Sequence, residues 1–132
     1  VHAIGVLEPA DVRQAIERCD VMVQPYPDGI SARRTSALAV LACGGVVVTN
    51  GGRLTEGLWS ESGAVALAPR PDGRLLAEAA LQVMGDADRR LRLSRLARDL
   101  YDRVFDIRHS VDRLRTAVPV DASGHETSLV RR

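Results

Sequence analysis

Short apolar runs alternate along the chain with stretches whose apolar residues recur at helical spacing. This is the pattern of parallel strands joined by helices. A strand is expected at about His2–Val6, followed by a helix opening at Pro9-Ala10-Asp11 with Val12, Ala15, Ile16 and Cys19 on one face. Asp20 precedes a buried strand, Val21–Gln24, which Pro25 stops, and a polar, turn-rich segment follows over Tyr26–Ser31. Ser31 is placed to cap a helix running to about Cys43, apolar nearly all round from Ala37 to Ala42 and therefore expected to be buried. Gly44-Gly45 ends that helix, and Val46–Thr49 reads as a central strand.

Beyond it, Asn50-Gly51-Gly52 forms a loop with a short helical turn near Thr55–Trp59, and a weaker strand follows at Ala64–Ala68. Asp72 caps a helix through Met84, ended by Gly85; Asp86 caps a longer one to about Val104; a last helix spans Ile107–Ala117. From Pro119 the residues are small, polar or charged without period, so a disordered tail is expected over 119–132. The expectation is an α/β fold, a Rossmann-like parallel sheet with flanking helices over residues 1–118. Four strands are fewer than a nucleotide-binding domain of this class usually has, which points to a piece of a larger domain.

Composition narrows the function. A chain of 132 residues, 45% hydrophobic and 27% charged, suits one domain with a core and excludes collagen-like, coiled-coil and wholly disordered classes. No apolar run reaches the ~18 residues of a membrane span, and no targeting signal is read. Eighteen basic against 17 acidic residues leave no basic stripe, and Tyr26, Trp59, Tyr101 and Phe105 are too few for base stacking, so no nucleic-acid partner is expected. Every basic residue is Arg, so an anion site here uses guanidinium forks or backbone N–H groups. Cys19 and Cys43 lack CxxC spacing and read as small core residues in a reducing, cytoplasmic compartment. The three histidines, His2, His109 and His125, are scattered, so neither a metal nor another cofactor is expected. Arginines at 89, 90, 92, 95, 98 and 103 interleave with Asp88, Asp99 and Asp102, which reads as a solvated helix face rather than a membrane surface.

The segment Asp28 to Thr35 breaks a local rule. Helix N-termini collect acidic residues, yet the expected first turn holds Arg33 and Arg34. Two cations there cost about 0.3–1 kcal/mol each unless an anion faces them. With free backbone N–H groups and the hydroxyls of Ser31 and Thr35, they describe a phosphate-type anion site. The bland alternative is that both arginines face solvent or pair with Asp28 and Glu56. Ligands of open parallel sheets bind beyond the strands' carboxyl ends, where Tyr26–Ser31 and Asn50-Gly51-Gly52 both fall. Gly51 and Gly52 either let a backbone approach a ligand or simply turn the chain. No GxGxxG, GxxxxGK[ST] or GxSxG is present.

Taken in order, Pro25-Tyr26-Pro27-Asp28-Gly29-Ile30-Ser31, Arg33-Arg34-Thr35-Ser36, Leu41-Ala42-Cys43-Gly44 and Val46-Val47-Val48-Thr49-Asn50-Gly51-Gly52 resemble the donor-binding domain of retaining, two-Rossmann-domain glycosyltransferases of the family 4 type. Ile4-Gly5-Val6 and Cys19-Asp20-Val21-Met22-Val23 fit the same resemblance, which covers about residues 2–116. It implies transfer of a hexosyl group from a nucleotide-diphosphate sugar, with retention, in a cleft against an N-terminal acceptor domain. Asp28, Gly29, Ser31, Arg33, Arg34 and Thr35 would hold the diphosphate and sugar end, and Gly51 and Gly52 would set N–H groups near the phosphates. Glu56 stands where the family often carries an acid.

The family's pair of glutamates falls on Ser31 and Ala39, and a subgroup with an Asp-Gly-Ile-Ser-x-Arg-Arg loop resembles this chain more closely. The acceptor domain and the first two strands of the donor domain are lacking, so the isolated chain is expected to be inactive. Whether the longer protein associates with a membrane stays open. Asp28 and Glu56 are the only carboxylates near the loop, and chemistry using the leaving phosphate as base needs neither, so no catalytic residue is named. Two alternatives remain. One is a non-catalytic α/β module binding an anion or a partner protein; the other, ranked lower, is a nucleotide-sugar 2-epimerase-like protein, whose carboxylates and histidine are missing from these loops.

Overall fold

The computed structural model describes residue 3 and residues 5–117. The tail expected over 119–132 lies outside the described residues, as do His2 and Ile4 of the first expected strand. Ala3, Gly5 and Val6, the rest of that segment, are not in a strand. The elements run α1 (Pro9–Glu17), β1 (Met22–Gln24), α2 (Thr35–Ala42), β2 (Val47–Asn50), α3 (Gly57–Glu61), β3 (Ala66–Ala68), α4 (Gly73–Met84) and α5 (Ala87–Leu100). One π-helical turn, Tyr101–Phe105, then leads to α6 (Ile107–Ala117). Among the described residues the sheet has three strands in the order β1-β2-β3, both pairings parallel, with Val23 opposite Val48 and Val48 opposite Ala66. The chain is therefore α/β with a parallel sheet and flanking helices, a layout consistent with a Rossmann-like arrangement.

The central strand shows why the sequence folds this way. All four residues of β2 are buried, as an apolar run covered on both faces must be. Side chains alternate across it: Val47 joins α2, Trp59, Ala97 and Leu100 on one face, while Val46 and Val48 join Leu76, Val83 and Leu93 on the other. Helix α5 contributes to both cores, through Leu93 to one and Ala97 with Leu100 to the other. Helix α2 buries only Ala37, Val40 and Leu41; Ala39 is exposed, so the expected all-round burial is not found. Cys19 is exposed, which corrects its reading as a core residue, whereas Cys43 is half-buried and packs against the core. Cys19 lies past the end of α1, where only Ile16 turns inward.

Helix ends follow local chemistry. The Asp72 carboxylate accepts from the N–H groups of Arg74 and Leu75, and that of Asp86 from Arg89. Helix α2 closes with Gly44 at φ +68°; Gly44 N–H donates to Leu41 O at 2.9 Å and Gly45 N–H to Val40 O at 2.9 Å. That paired return demands a left-handed residue, which glycine supplies without strain. The arginines of α5 are more than a solvated face. Arg98 Nη1 donates to the Ala42 carbonyl at the end of α2, and Arg90 Nη1 donates to the Val83 and Met84 carbonyls at the end of α4. Cations at these carboxyl ends complement the exposed carbonyls and the helix dipole. No helix of the described residues is long and apolar enough to cross a membrane.

Replacing Arg98 by Ala is expected to lower stability by about 0.5–1 kcal/mol, the range for a half-exposed dipole and carbonyl contact. The same change at exposed Arg95 should cost less than about 0.5 kcal/mol. Urea unfolding of both variants checks the difference.

Candidate functional site

Because β1 and β2 are parallel neighbours, the segments leaving their carboxyl ends emerge at one edge of the sheet. A single buried side chain joins them. Asn50, the last residue of β2, is fully buried. Its Oδ1 accepts the Tyr26 N–H at 2.9 Å, and its Nδ2 donates to the Tyr26 carbonyl at 2.8 Å and the Gly51 carbonyl at 2.9 Å. Its backbone carbonyl accepts the Ile30 N–H at 2.9 Å. The amide thereby continues the β1–β2 ladder past the point where the strands separate. Thr49 Oγ1 adds a bond to the Gln24 carbonyl at 2.7 Å.

Above Asn50 the two loops touch backbone to backbone. A Cβ built on Gly52 would lie 2.5 Å from the carbonyl carbon and oxygen of Asp28, and one on Gly29 would lie 2.4 Å from Gly52 N. Gly29 also has φ +87°, so both demands fall on it at once. The expected phosphate contacts of Gly51 and Gly52 are therefore revised. Gly51 N–H donates to Ala68 O at 2.7 Å and Gly52 N–H to Thr55 Oγ1 at 3.0 Å, so both donors serve the fold. Asp28 is tied on this seam as well: its carbonyl accepts the Leu54 N–H at 2.9 Å and its carboxylate pairs with Arg53 at 3.2 Å. Neither Arg33 nor Arg34 is that carboxylate's partner.

Ser31 does not cap α2. It begins a turn in which the Arg34 N–H donates to the Ser31 carbonyl at 3.0 Å, and the helix starts only at Thr35, with Arg34 in the capping position. Both arginines consequently precede the helix rather than occupying its first turn, with Arg34 still at the positive end of its dipole. Arg34 is half-buried with its guanidinium 4.7 Å above the Tyr26 ring, a cation–π geometry. The Tyr26 hydroxyl donates to Gln24 Oε1 at 2.8 Å and lies 2.9 Å from Ser36 Oγ. Arg34 Nε is buried without a partner. Arg33 is exposed and, with buried Ser31, Leu54 and Glu56, lines a hollow of about 180 Å³. Thr35 is exposed at the helix start.

Glu56 supplies the loop's own anion. Its two carboxylate oxygens accept the Ala32 N–H, each at 3.2 Å, and Oε2 accepts the Trp59 Nε1–H at 2.9 Å. Partial burial pushes this carboxyl up, but hydrogen bonds from its own backbone N–H, from Ala32 and from Trp59, with the nearby Arg33 charge, hold it below its ordinary value. Glu56 is thus ionised across the neutral range. The Ala32 N–H is thereby engaged, while the Arg33 and Ser36 N–H groups have no acceptor among the described contacts and α2 has no side-chain cap.

Asn50, Tyr26 and Trp59 are named in the sequence reading only as loop or aromatic residues, with no role in holding the site. An Asn ending an otherwise apolar strand is the signal for the first, since an amide buried there needs partners. Among the described residues no group of three or more His, Cys, Asp or Glu gathers to hold a metal ion. Gly52→Ala is expected to destabilise the chain by about 1–3 kcal/mol, because its Cβ meets backbone rather than a movable side chain. Chemical denaturation of that variant checks the loop contact. No protein-family model matches this chain, and no curated protein or solved structure matches it.

Proposed function

We propose that this chain is the donor-binding portion of a cytoplasmic retaining glycosyltransferase, holding the diphosphate end of a nucleotide-diphosphate sugar at the Ser31–Thr35 turn. The observation that carries this reading is the placement of Arg33 and Ser31 in one hollow at the carboxyl edge of a parallel sheet, with Arg34 next in the chain and its guanidinium over the Tyr26 ring. It agrees with the resemblance of the loop sequences to the family 4 type.

In this reading Arg33 and Arg34 place guanidinium forks on the phosphate oxygens, and the Ser31 hydroxyl donates to one of them. Breaking the bond between sugar and diphosphate leaves negative charge on the departing oxygens. Fixed cations stabilise that charge more than the ground state. Arg34 is held by the Tyr26 ring, so little ordering remains when the anion arrives. Glu56, ionised and beside the same hollow, suits a hydroxyl of the sugar rather than a phosphate. The hollow of about 180 Å³ is smaller than the ~300–1,000 Å³ of a typical ligand pocket, so only part of the donor is enclosed here. The remainder of the site belongs to an acceptor domain outside this chain, and the chain alone is inactive.

One observation favours a second reading, an α/β module that holds an anion without catalysis. Ala39 stands where the family has its second glutamate and is exposed on α2, with no group for a ribose hydroxyl. Thermal-shift and calorimetric titration of the chain with nucleotide diphosphates, nucleotide-diphosphate sugars and pyrophosphate separates the two. The transferase reading expects stabilisation by the sugar nucleotides, and Arg33→Ala weakening their binding about tenfold, the effect of one charge-assisted contact, with the unfolding midpoint unchanged. Stabilisation by unrelated anions alone, or unchanged affinity in Arg33→Ala, would overturn it.

A further inference from the structure

The turn that carries Ser31 and Arg33 is anchored by Glu56, which also lines the hollow, and behind Glu56 by residues that touch no ligand in the reading above. The Ala32 N–H is held by the Glu56 carboxylate, with both oxygens at 3.2 Å. That carboxylate is in turn fixed by the Trp59 indole N–H at 2.9 Å. Trp59 is fully buried and stacks on Phe105, with ring centroids 5.7 Å apart and planes 17° from parallel. Phe105 ends the π-helical turn Tyr101–Phe105, and such turns recur near functional sites. A chain of direct contacts therefore runs from Phe105 through Trp59 and Glu56 to Ala32, which sits between Ser31 and Arg33, two of the residues that line the hollow.

The bond from Trp59 is the only side-chain hydrogen bond to the Glu56 carboxylate among the described contacts; its other donors are main-chain N–H groups. Without the indole N–H, the carboxylate keeps only main-chain partners, Ala32 and its own N–H, on an exposed loop and is freer to rotate toward Arg33. That arginine would then meet an internal anion instead of an external one. Indole is suited to this post because it offers one donor and no acceptor, so it selects the ionised carboxylate.

We propose that Trp59 is a positioning residue for the anion-binding turn: its indole N–H orients the Glu56 carboxylate, which holds Ala32 and so presents Ser31 and Arg33 to the ligand. This rests on the anion reading of the turn. Trp59 is the only tryptophan of the chain, so its emission reports on the contact directly.

The test titrates the whole chain with inorganic pyrophosphate, read by calorimetry and by tryptophan emission, and repeats the calorimetry on Trp59→Phe. The Phe variant keeps an aromatic ring against Phe105 and deletes the donor together with part of the indole volume, so circular dichroism and the emission titration of the unsubstituted protein accompany it. The expected results are a saturable emission change in the unsubstituted protein with the same Kd as calorimetry, and about tenfold weaker binding in Trp59→Phe while circular dichroism shows it folded. Unaltered emission at saturation, or unweakened binding by a folded Trp59→Phe, overturns the inference and leaves the anion site standing. Should Trp59→Phe not fold, the emission titration of the unsubstituted protein decides alone. Absence of any pyrophosphate binding to the unsubstituted protein would remove the anion site and this inference together.

Discussion

A buried amide at the end of the central strand holds the loop cluster in place. Two parallel strands diverge where their ladder ends, and the backbone groups beyond that point need partners away from water. Asn50 answers this with both ends of its side chain, accepting from and donating to Tyr26 while also bonding Gly51. Its complete burial makes each of these bonds matter, because a lost partner leaves a desolvated polar group worth about 1–3 kcal/mol. Gly29 and Gly52 then allow the two backbones to close on each other above it.

This packing decides which groups remain for a ligand. A glycine-rich loop beside a helix start suggests free N–H donors, yet here those of Gly51, Gly52 and Ala32 have internal acceptors. The loops are rigid because those donors are used. The side chains mounted on that support are Arg33 and Ser31 in the hollow, Arg34 against Tyr26, and the ionised Glu56, and the proposed anion site draws on them. An all-arginine chain suits such a design, since guanidinium supplies directional donors without using the backbone.

The sheet and most helices were legible in the sequence wherever one local rule governed them. Apolar runs located all three strands, Asp72 and Asp86 marked helix starts, and Gly44-Gly45 marked the end of α2. Features set by contacts distant in sequence were not legible. Ser31 looked like a helix cap because its neighbours permit one, but Glu56, 25 positions from Ser31 in the chain, takes the Ala32 N–H and the helix begins later. Asn50 looked like a loop residue because asparagine usually is one, and only the partner loop turns it into a buried strand end. The arginines of α5 alternate with aspartates, which hid the two that cap neighbouring helices.

The claim that these loops form one rigid support is tested most directly by native-state hydrogen exchange, followed amide by amide. Ile30 and Ala32, whose acceptors are the Asn50 carbonyl and the Glu56 carboxylate, are predicted to exchange as slowly as Val48 within the central strand. Exchange of these two amides within about tenfold of the unfolded-chain rate, with Val48 still protected, would contradict the account.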